Sequence, residues 1–351
     1  MGVTRREILV AGAAAGATFM TAGSAREDLP WTVGELARLL ARRELTAAEL
    51  AAEVAARVEA NAGLGAFIAF EPAWMEQGAR ATAARQRSGA LLGALDGIPI
   101  AFKDNIDVVG IPTTAGTPAL AEHVPRRTAG AAQRLFDAGA LMGGKANMHE
   151  LAGGGTSNNV TFGRARNPYG LEHIPGGSSG GSAVAVAARL VPAAIGSDSA
   201  GSIRNPAHFC GIVGFKASLG RYPADGVVPL SRAVDTVGPM TRCVADAVTI
   251  DACLANDPAT VQPAQLKGLR LGIPRVPFHE NLHGEVGQLF DAALTRLADA
   301  GVTVVEAEIP ELKDDIAALG WLSLGGQLKS DLELYFQESG ASITVAQLAE
   351  Q

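Results

Sequence analysis

The chain has 351 residues, of which 48% are hydrophobic and 19% are charged, so it can bury the core of one large domain or two smaller ones. This composition excludes an intrinsically disordered chain. The net charge of -7 at pH 7 lacks the basic excess that binding to phosphate groups requires, and so argues against a nucleic-acid partner.

The N-terminus has the pattern of an export signal. Arg5 and Arg6 form a twin-arginine pair, and an apolar run over residues 8–20 follows them. This run is too short to cross a bilayer as a stable helix, and small residues up to Ala25 suit a signal peptidase. The sequence therefore predicts a twin-arginine signal over residues 1–25, a periplasmic or extracellular protein and no stable membrane anchor. The alternatives are a frayed N-terminal helix and a cytoplasmic protein.

The elements predicted between residues 32 and 143 alternate between helix and strand. Apolar stripes at helical spacing indicate two helices between residues 32 and 61, and the second begins at Thr46, which has capping-box spacing to Glu49. A strand, a second strand, a helix and a third strand are then predicted over residues 66–70, 98–102, 129–138 and 140–143. This alternation predicts an α/β sheet.

The alternation resumes after a glycine-rich middle section. The predicted elements there are a helix, a buried strand, an apolar segment, a strand, an amphipathic helix and a strand, over residues 182–188, 192–196, 210–215, 269–273, 286–300 and 302–306. The three cysteines have neither metal-ligand nor disulfide spacing, and of the six histidines only His279 and His283 are paired at helical spacing. Pro277 and Gly284 flank that pair, so no metal site is predicted.

Two turns rich in glycine and serine carry the candidate chemistry. Residues 176–182 read GGSSGGS and lead into a helix, and a second small-residue turn, residues 197–202, follows the next apolar run. Taken alone, the first turn is typical of a flexible linker. Because both turns lie at the ends of regular elements, they can bring serine hydroxyls and exposed backbone N–H groups together, as acyl transfer requires.

The stretch over residues 175–216 resembles the amidase signature family, whose serine hydrolases use two serines and a lysine in place of serine, histidine and aspartate. The family pairs a GGSSGG turn with a GGSxR-type turn, and Ser178 and Ser202 stand at the family's spacing. Upstream, the segment GIPIAFKDNID is similar to the strand that delivers the family's catalytic lysine, and it identifies Lys103. A finer resemblance to the indoleacetamide hydrolase and mandelamide amidase branch lies in residues 144–151, 156–159, 220–226 and 235–239.

The resemblance implies a fold, an activity and a set of roles. The implied fold is α/β, with a mixed β-sheet core flanked by helices on both faces, in one amidase domain over residues 26–351. The implied activity is hydrolysis of a small carboxylic amide, such as an arylacetamide, to carboxylate and ammonia through an acyl-enzyme, without a cofactor or a metal. Ser202 is the implied nucleophile, and Ser178, in a cis peptide, passes its proton to Lys103.

Lys103 can act as a base only when its amine is uncharged. An unperturbed lysine titrates near about 10.4, so burial has to lower its pKa. The apolar run before Lys103 is consistent with burial, whereas Asp104 and Asp107 would oppose the shift if they lay close. Lys145 and Lys216 are alternative bases, but their segments do not match the family's lysine strand.

The resemblance also implies an oxyanion hole made of backbone N–H groups from the second turn: Ser199, Ala200, Gly201 and Ser202. Ala200 stands where the family commonly has glycine, which narrows the pocket but leaves the N–H group available. Four further residues are expected to support these loops: Gly177, Ser179, Asp198 and Arg204.

Relatives in this family usually continue beyond the point where this sequence stops, so the C-terminal part of the family domain is expected to be missing. Three functions stay open. They are an exported amidase with a small-molecule amide substrate, a truncated and inactive homologue, and an amidotransferase subunit. The export signal and the acidic charge count against the third. A homodimer also stays open.

Overall fold

A computed structural model of the chain describes residues 29–257, 261, 263–276, 278–280, 282–309 and 326–350. The export signal predicted over residues 1–25 lies outside these residues, and export stays a prediction. Within the described ranges, no helix is long and apolar enough to cross a membrane.

The described residues form helices and strands that alternate along much of the chain. The helices are α1 (Val33–Ala41), α2 (Ala47–Ala60), α3 (Ala73–Ser88), α4 (Gly130–Asp137), α5 (Gly180–Ala187), α6 (Arg204–Phe209), α7 (Val244–Ala255), α8 (Gly284–Asp299), α9 (Leu328–Ser339) and α10 (Val345–Ala349). The strands are β1 (Phe67–Ala69), β2 (Pro99–Lys103), β3 (Leu141–Ala146), β4 (Ala193–Asp198), β5 (Val213–Gly214), β6 (Thr236–Thr241), β7 (Arg270–Ile273) and β8 (Thr303–Glu306).

The main sheet is mixed, as predicted. Its described strands lie in the order β1-β3-β2-β4-β6-β5, with β2 parallel to both β3 and β4. The pairs β1 with β3, β4 with β6 and β5 with β6 are antiparallel. A separate pair, β7 and β8, is parallel, and α8 connects the two strands. The carboxyl ends of β2 and β4 therefore lie side by side at one edge of the main sheet.

Helices cover both faces of this sheet. Successive side chains of β2 point to opposite faces, so neighbouring residues contact different helices. Phe102 packs against Phe136 of α4, with ring centroids 5.3 Å apart. The next residue, Lys103, points to the opposite face, where its amine meets Ser178 just before α5. All eight residues of α5 are buried. The apolar core thus encloses the lysine that the sequence singled out.

The capping box predicted at Thr46 is confirmed at the start of α2. The Glu49 N–H donates to Thr46 Oγ1 at 3.2 Å, and the Thr46 N–H donates to Glu49 Oε2 at 2.8 Å. These two bonds satisfy backbone groups that the first turn of a helix leaves without partners.

The structure corrects several predicted boundaries and adds elements. The apolar segment over residues 210–215 forms only the two-residue strand β5, whereas β4 runs on to Asp198. The sequence did not predict α3, α6, α7, α9 or β6. β6 contains Gly238 and Pro239, residues that usually argue against a strand, yet all of its residues are buried.

Helix α9 builds a second, smaller core beside the loop that follows β2. Leu332, Tyr335 and Phe336 pack there with Ala115 and other apolar side chains. The Tyr335 hydroxyl donates to Asp107 Oδ1 at 2.8 Å. This contact holds the segment just beyond Lys103 against the described C-terminal part of the chain.

Candidate active site

The structure brings Lys103 and Ser178 together in the buried interior. Lys103 ends β2 and has no exposed surface, and neither has Ser178. The distance from Lys103 Nζ to Ser178 Oγ is 2.6 Å. The same amine lies 2.8 Å from Ser197 Oγ and 3.4 Å from the Ser197 carbonyl oxygen. Three oxygen atoms therefore surround this nitrogen.

Burial changes the protonation of Lys103. It lowers the pKa of Lys103 to about 7, although the negative charges of Asp235 and Asp198 favour the ammonium form. Asp104, which we expected to oppose the shift if close, pairs instead with Lys145 at 3.1 Å. A large fraction of the Lys103 amine is therefore uncharged near neutral pH, as a general base requires.

The turn that carries Ser178 is held by its backbone. The peptide bond between Gly177 and Ser178 is cis, as the resemblance implied. The Ser178 carbonyl accepts from the His149 N–H at 3.0 Å and from the Ser157 hydroxyl at 3.3 Å. A Cβ atom on Gly177 would lie 2.8 to 2.9 Å from the backbone of residues 154–156, so a side chain does not fit there.

Ser202 lies on the neighbouring turn and is partly exposed, where a substrate can reach it. Its carbonyl accepts from the Ser179 N–H at 3.1 Å, which ties the two turns together. Its hydroxyl makes no hydrogen bond to any residue that the structure describes, Ser178 included. The first link of the implied relay is thus not formed here. Catalytic hydrogen bonds are often long without substrate and tighten when substrate binds.

Ser179 connects the first turn to the end of β4. Its hydroxyl donates to the Ser197 carbonyl at 3.1 Å and accepts from the Ser197 N–H at 3.3 Å. A Cβ atom on Gly196 would lie 2.9 Å from Ser179 Oγ, so glycine is what allows the close approach. These contacts fit the support role expected for Ser179.

Asp198 and Arg204 shape the second turn. The Arg204 guanidinium donates to both carboxylate oxygens of Asp198, with both distances 3.0 Å. The Gly201 N–H donates to Asp198 Oδ1 at 2.7 Å, and the Ile203 N–H donates to Oδ2 at 3.1 Å. Burial of Asp198 raises its pKa, but these donors outweigh burial and hold the pKa at about 2. The carboxylate is therefore charged and organises the turn.

Of the four backbone N–H groups that the sequence predicts as oxyanion donors in this turn, the structure occupies one. The Gly201 N–H already donates to Asp198 Oδ1, at 2.7 Å. The N–H groups of Ser199, Ala200 and Ser202 donate to no residue that the structure describes. These three remain available to a developing negative charge. The Ser199 hydroxyl donates to the Asp235 carboxylate.

The two alternative bases lie in other surroundings. The Lys145 amine binds the Ile106 carbonyl at 2.7 Å and Thr113 Oγ1 at 3.0 Å, in addition to Asp104. The Lys216 amine donates to the backbone carbonyls of Asp198 and Val234. Both amines have partners other than the two serines, which leaves Lys103 as the amine that contacts Ser178.

Three residues near Lys103 were not among the sequence candidates: Asn105, Ser197 and Asp235. Asn105 belongs to the segment that identified Lys103, and Ser197 is the first residue of the second small-residue turn. Asp235 begins one of the segments behind the finer resemblance. The sequence thus contained these residues, but their proximity to the lysine depends on the pairing of β2, β4 and β6.

Comparison with known proteins gives matches over most of the chain. A family model described as "Amidase" matches residues 49–339. The indoleacetamide hydrolase of Agrobacterium vitis is 46% identical over 275 residues, which is 78% of this chain and 58% of that protein. A glutamyl-tRNA(Gln) amidotransferase subunit from Moorella thermoacetica is 37% identical over 319 residues, 87% of this chain and 65% of that relative. The chain thus spans less than two thirds of the length of these relatives.

Solved structures match as well. A structure of the peptide amidase PAM in complex with the competitive inhibitor chymostatin has a TM-score of 0.82 and 34% identity, and covers 91% of this chain and 70% of its own. The native peptide amidase from Stenotrophomonas maltophilia has a TM-score of 0.78 and 33% identity, with coverage of 91% and 70%.

Proposed function

The chain belongs to the amidase family, and on that premise we propose that it is a serine-dependent amidase that hydrolyses small carboxylic amides to carboxylate and ammonia. The observation that carries the proposal is the 2.6 Å contact between Lys103 Nζ and Ser178 Oγ, made by an amine whose pKa burial lowers to about 7. A buried, uncharged amine next to a serine hydroxyl can take a proton, and a serine nucleophile needs such a base.

In the proposed acylation, Ser202 Oγ attacks the amide carbonyl carbon. The Ser202 proton passes to Ser178 Oγ, while the Ser178 proton moves to the uncharged Lys103 amine. The carbonyl π-electrons move onto oxygen, where the N–H groups of Ser199, Ala200 and Ser202 can donate to it. Collapse of the tetrahedral intermediate breaks the C–N bond, and the proton returns from Lys103 through Ser178 to the leaving nitrogen, which departs as ammonia.

In the proposed deacylation, water replaces Ser202 as the attacking group. Lys103 accepts a proton from the water through Ser178, the C–O bond to Ser202 breaks, and the relay returns a proton to Ser202 Oγ. The product is released as the carboxylic acid, which loses its remaining proton to solvent and becomes the carboxylate, and Lys103 is again uncharged. The same uncharged amine is therefore needed in both halves of the reaction.

We propose a small arylacetamide, such as indoleacetamide, as the substrate, on the strength of the 46% identity to an indoleacetamide hydrolase. The test is to incubate the purified chain with indoleacetamide, phenylacetamide, mandelamide, acetamide and an amidated dipeptide, and to measure ammonia and carboxylate. We expect equal amounts of both products and the fastest release from an arylacetamide. No release from any amide, together with no fluorophosphonate labelling of Ser202, would support the inactive-homologue alternative instead.

The pH dependence of kcat/KM should report the Lys103 amine. An amine is uncharged above its pKa, so activity should rise with pH, with a midpoint near about 7, and fall about tenfold per unit below it. The half-buried His149 also titrates near this site, and burial lowers its pKa. A His149→Gln variant is therefore the control. The decrease in kcat/KM on the acid side of the profile, the acid limb, should be retained in this variant. Loss of the acid limb in the variant would show that His149, and not Lys103, causes it.

A further inference from the structure

Asn105 lies two residues beyond Lys103 and shares a hydrogen-bond partner with it. Its side chain is 2% exposed, and its Nδ2 atom lies 3.1 Å from Ser197 Oγ and 3.1 Å from the Val228 carbonyl oxygen. Because a carbonyl oxygen can only accept, Asn105 must present its nitrogen to Val228, and this fixes the orientation of the amide. Asn105 Oδ1 has no hydrogen-bond partner among the described residues, so the amide acts here through its donor end.

Ser197 Oγ therefore lies between two nitrogen atoms. It accepts from Asn105, because an amide nitrogen has no lone pair to offer, and it also accepts from Lys103 Nζ, 2.8 Å away. An uncharged amine has two N–H donors and a single lone pair. The Ser197 hydroxyl and carbonyl oxygens, at 2.8 and 3.4 Å, can accept from both donors, which leaves the lone pair for the Ser178 hydroxyl at 2.6 Å.

This inference rests on the proposed function. We propose that Asn105 is a positioning residue for the reaction: by donating to Ser197 it holds Ser197 Oγ where it accepts from the uncharged Lys103 amine, so that the single lone pair of the amine faces the Ser178 hydroxyl. The charged groups that face Lys103 are Asp198 and Asp235, which favour the ammonium form. Lys103 also interacts electrostatically with His149. Burial therefore opposes the two carboxylates, and Asn105 sets the orientation of the uncharged amine.

An Asn105→Asp variant replaces the donor by an acceptor of nearly the same shape. The rate at which a fluorophosphonate probe labels Ser202 is measured between about pH 5 and pH 10, because this probe needs an activated serine but no known substrate. In the variant Ser197 loses the Asn105 donor, and the charge of the new carboxylate favours the ammonium form of Lys103. We expect labelling at pH 7 to be at least about tenfold slower and to recover at higher pH. An unchanged pH dependence overturns the inference.

The route through Ser197 is tested by a double-mutant cycle. Asn105→Leu removes the donor without adding charge, and we expect it to slow labelling at pH 7 about threefold to tenfold. In a Ser197→Ala background the same Asn105→Leu change should have no further effect, because the hydroxyl through which Asn105 acts is gone. Equal slowing in both backgrounds overturns the inference, since a merely structural role would act in both.

Asn167→Asp is the matched control. Asn167 is also buried, and its Nδ2 donates to the carbonyls of Ile174 and Phe209 rather than to a neighbour of Lys103. Its substitution should leave the pH dependence of labelling unchanged. Thermal unfolding shows whether each variant is folded. If Asn105→Asp does not fold, the double-mutant cycle with Asn105→Leu and Ser197→Ala tests the inference. A wild-type chain that is not labelled at any pH overturns the proposed function as well, whereas normal labelling with unaffected Asn105 variants overturns this inference alone.

Discussion

Ammonia release is expected to fall at least about 10⁴-fold when Ser202 is replaced by alanine. The substitution removes the oxygen that forms the acyl-enzyme, while the backbone N–H groups of the turn remain to polarise a carbonyl. The measurement is kcat/KM for the best amide of the panel, together with mass-spectrometric detection of the acyl-enzyme, which should be absent from the variant.

Ser182→Ala is the control for this experiment. Ser182 lies in α5, is fully buried and has its hydroxyl 3.5 Å from the Ile195 carbonyl, so its loss changes a nearby buried serine outside the proposed machinery. We expect activity within about threefold of wild type. If Ser202→Ala kept more than about a hundredth of the wild-type rate, Ser202 would not be the nucleophile.

Replacing Lys103 by methionine is expected to slow fluorophosphonate labelling of Ser202 about 10³-fold and to remove the acid limb near pH 7. Methionine has a similar length and suits a buried site, but it has no amine to accept the Ser178 proton. The measurement is the labelling rate as a function of pH. Labelling that kept both its rate and its acid limb would move the role of base to another residue.

Lys145→Met is the matched comparison, because Lys145 is equally buried and pairs with Asp104. Removing one partner of a buried ion pair leaves an unpaired charge, so we expect the free energy of unfolding to fall by about 3–5 kcal/mol. The acid limb of labelling should stay near pH 7 in this variant. The two variants thereby distinguish a buried lysine that is needed for labelling, Lys103, from one that is needed for stability, Lys145.

Much of the fold followed from local patterns. The capping box at Thr46 and the apolar run before Lys103 located α2 and β2, because capping and burial act on neighbouring residues. β6 was missed because Gly238 and Pro239 oppose a strand locally. Its antiparallel pairing with β4, which places Gly238 opposite Gly196, decides its conformation instead.

The sequence by itself determined the family resemblance and the residues of the proposed relay, because Ser178, Ser202 and Lys103 stand in short motifs whose spacing is visible along the chain. Only the tertiary structure decided their surroundings. It paired Asp104 with Lys145, placed Ser197 next to the Lys103 amine and Asn105 next to Ser197, and directed the Gly201 N–H to Asp198. The physical reason is that a hydrogen bond and a pKa depend on which groups lie within a few ångströms, and here the pairing of β2 with β4 sets those distances.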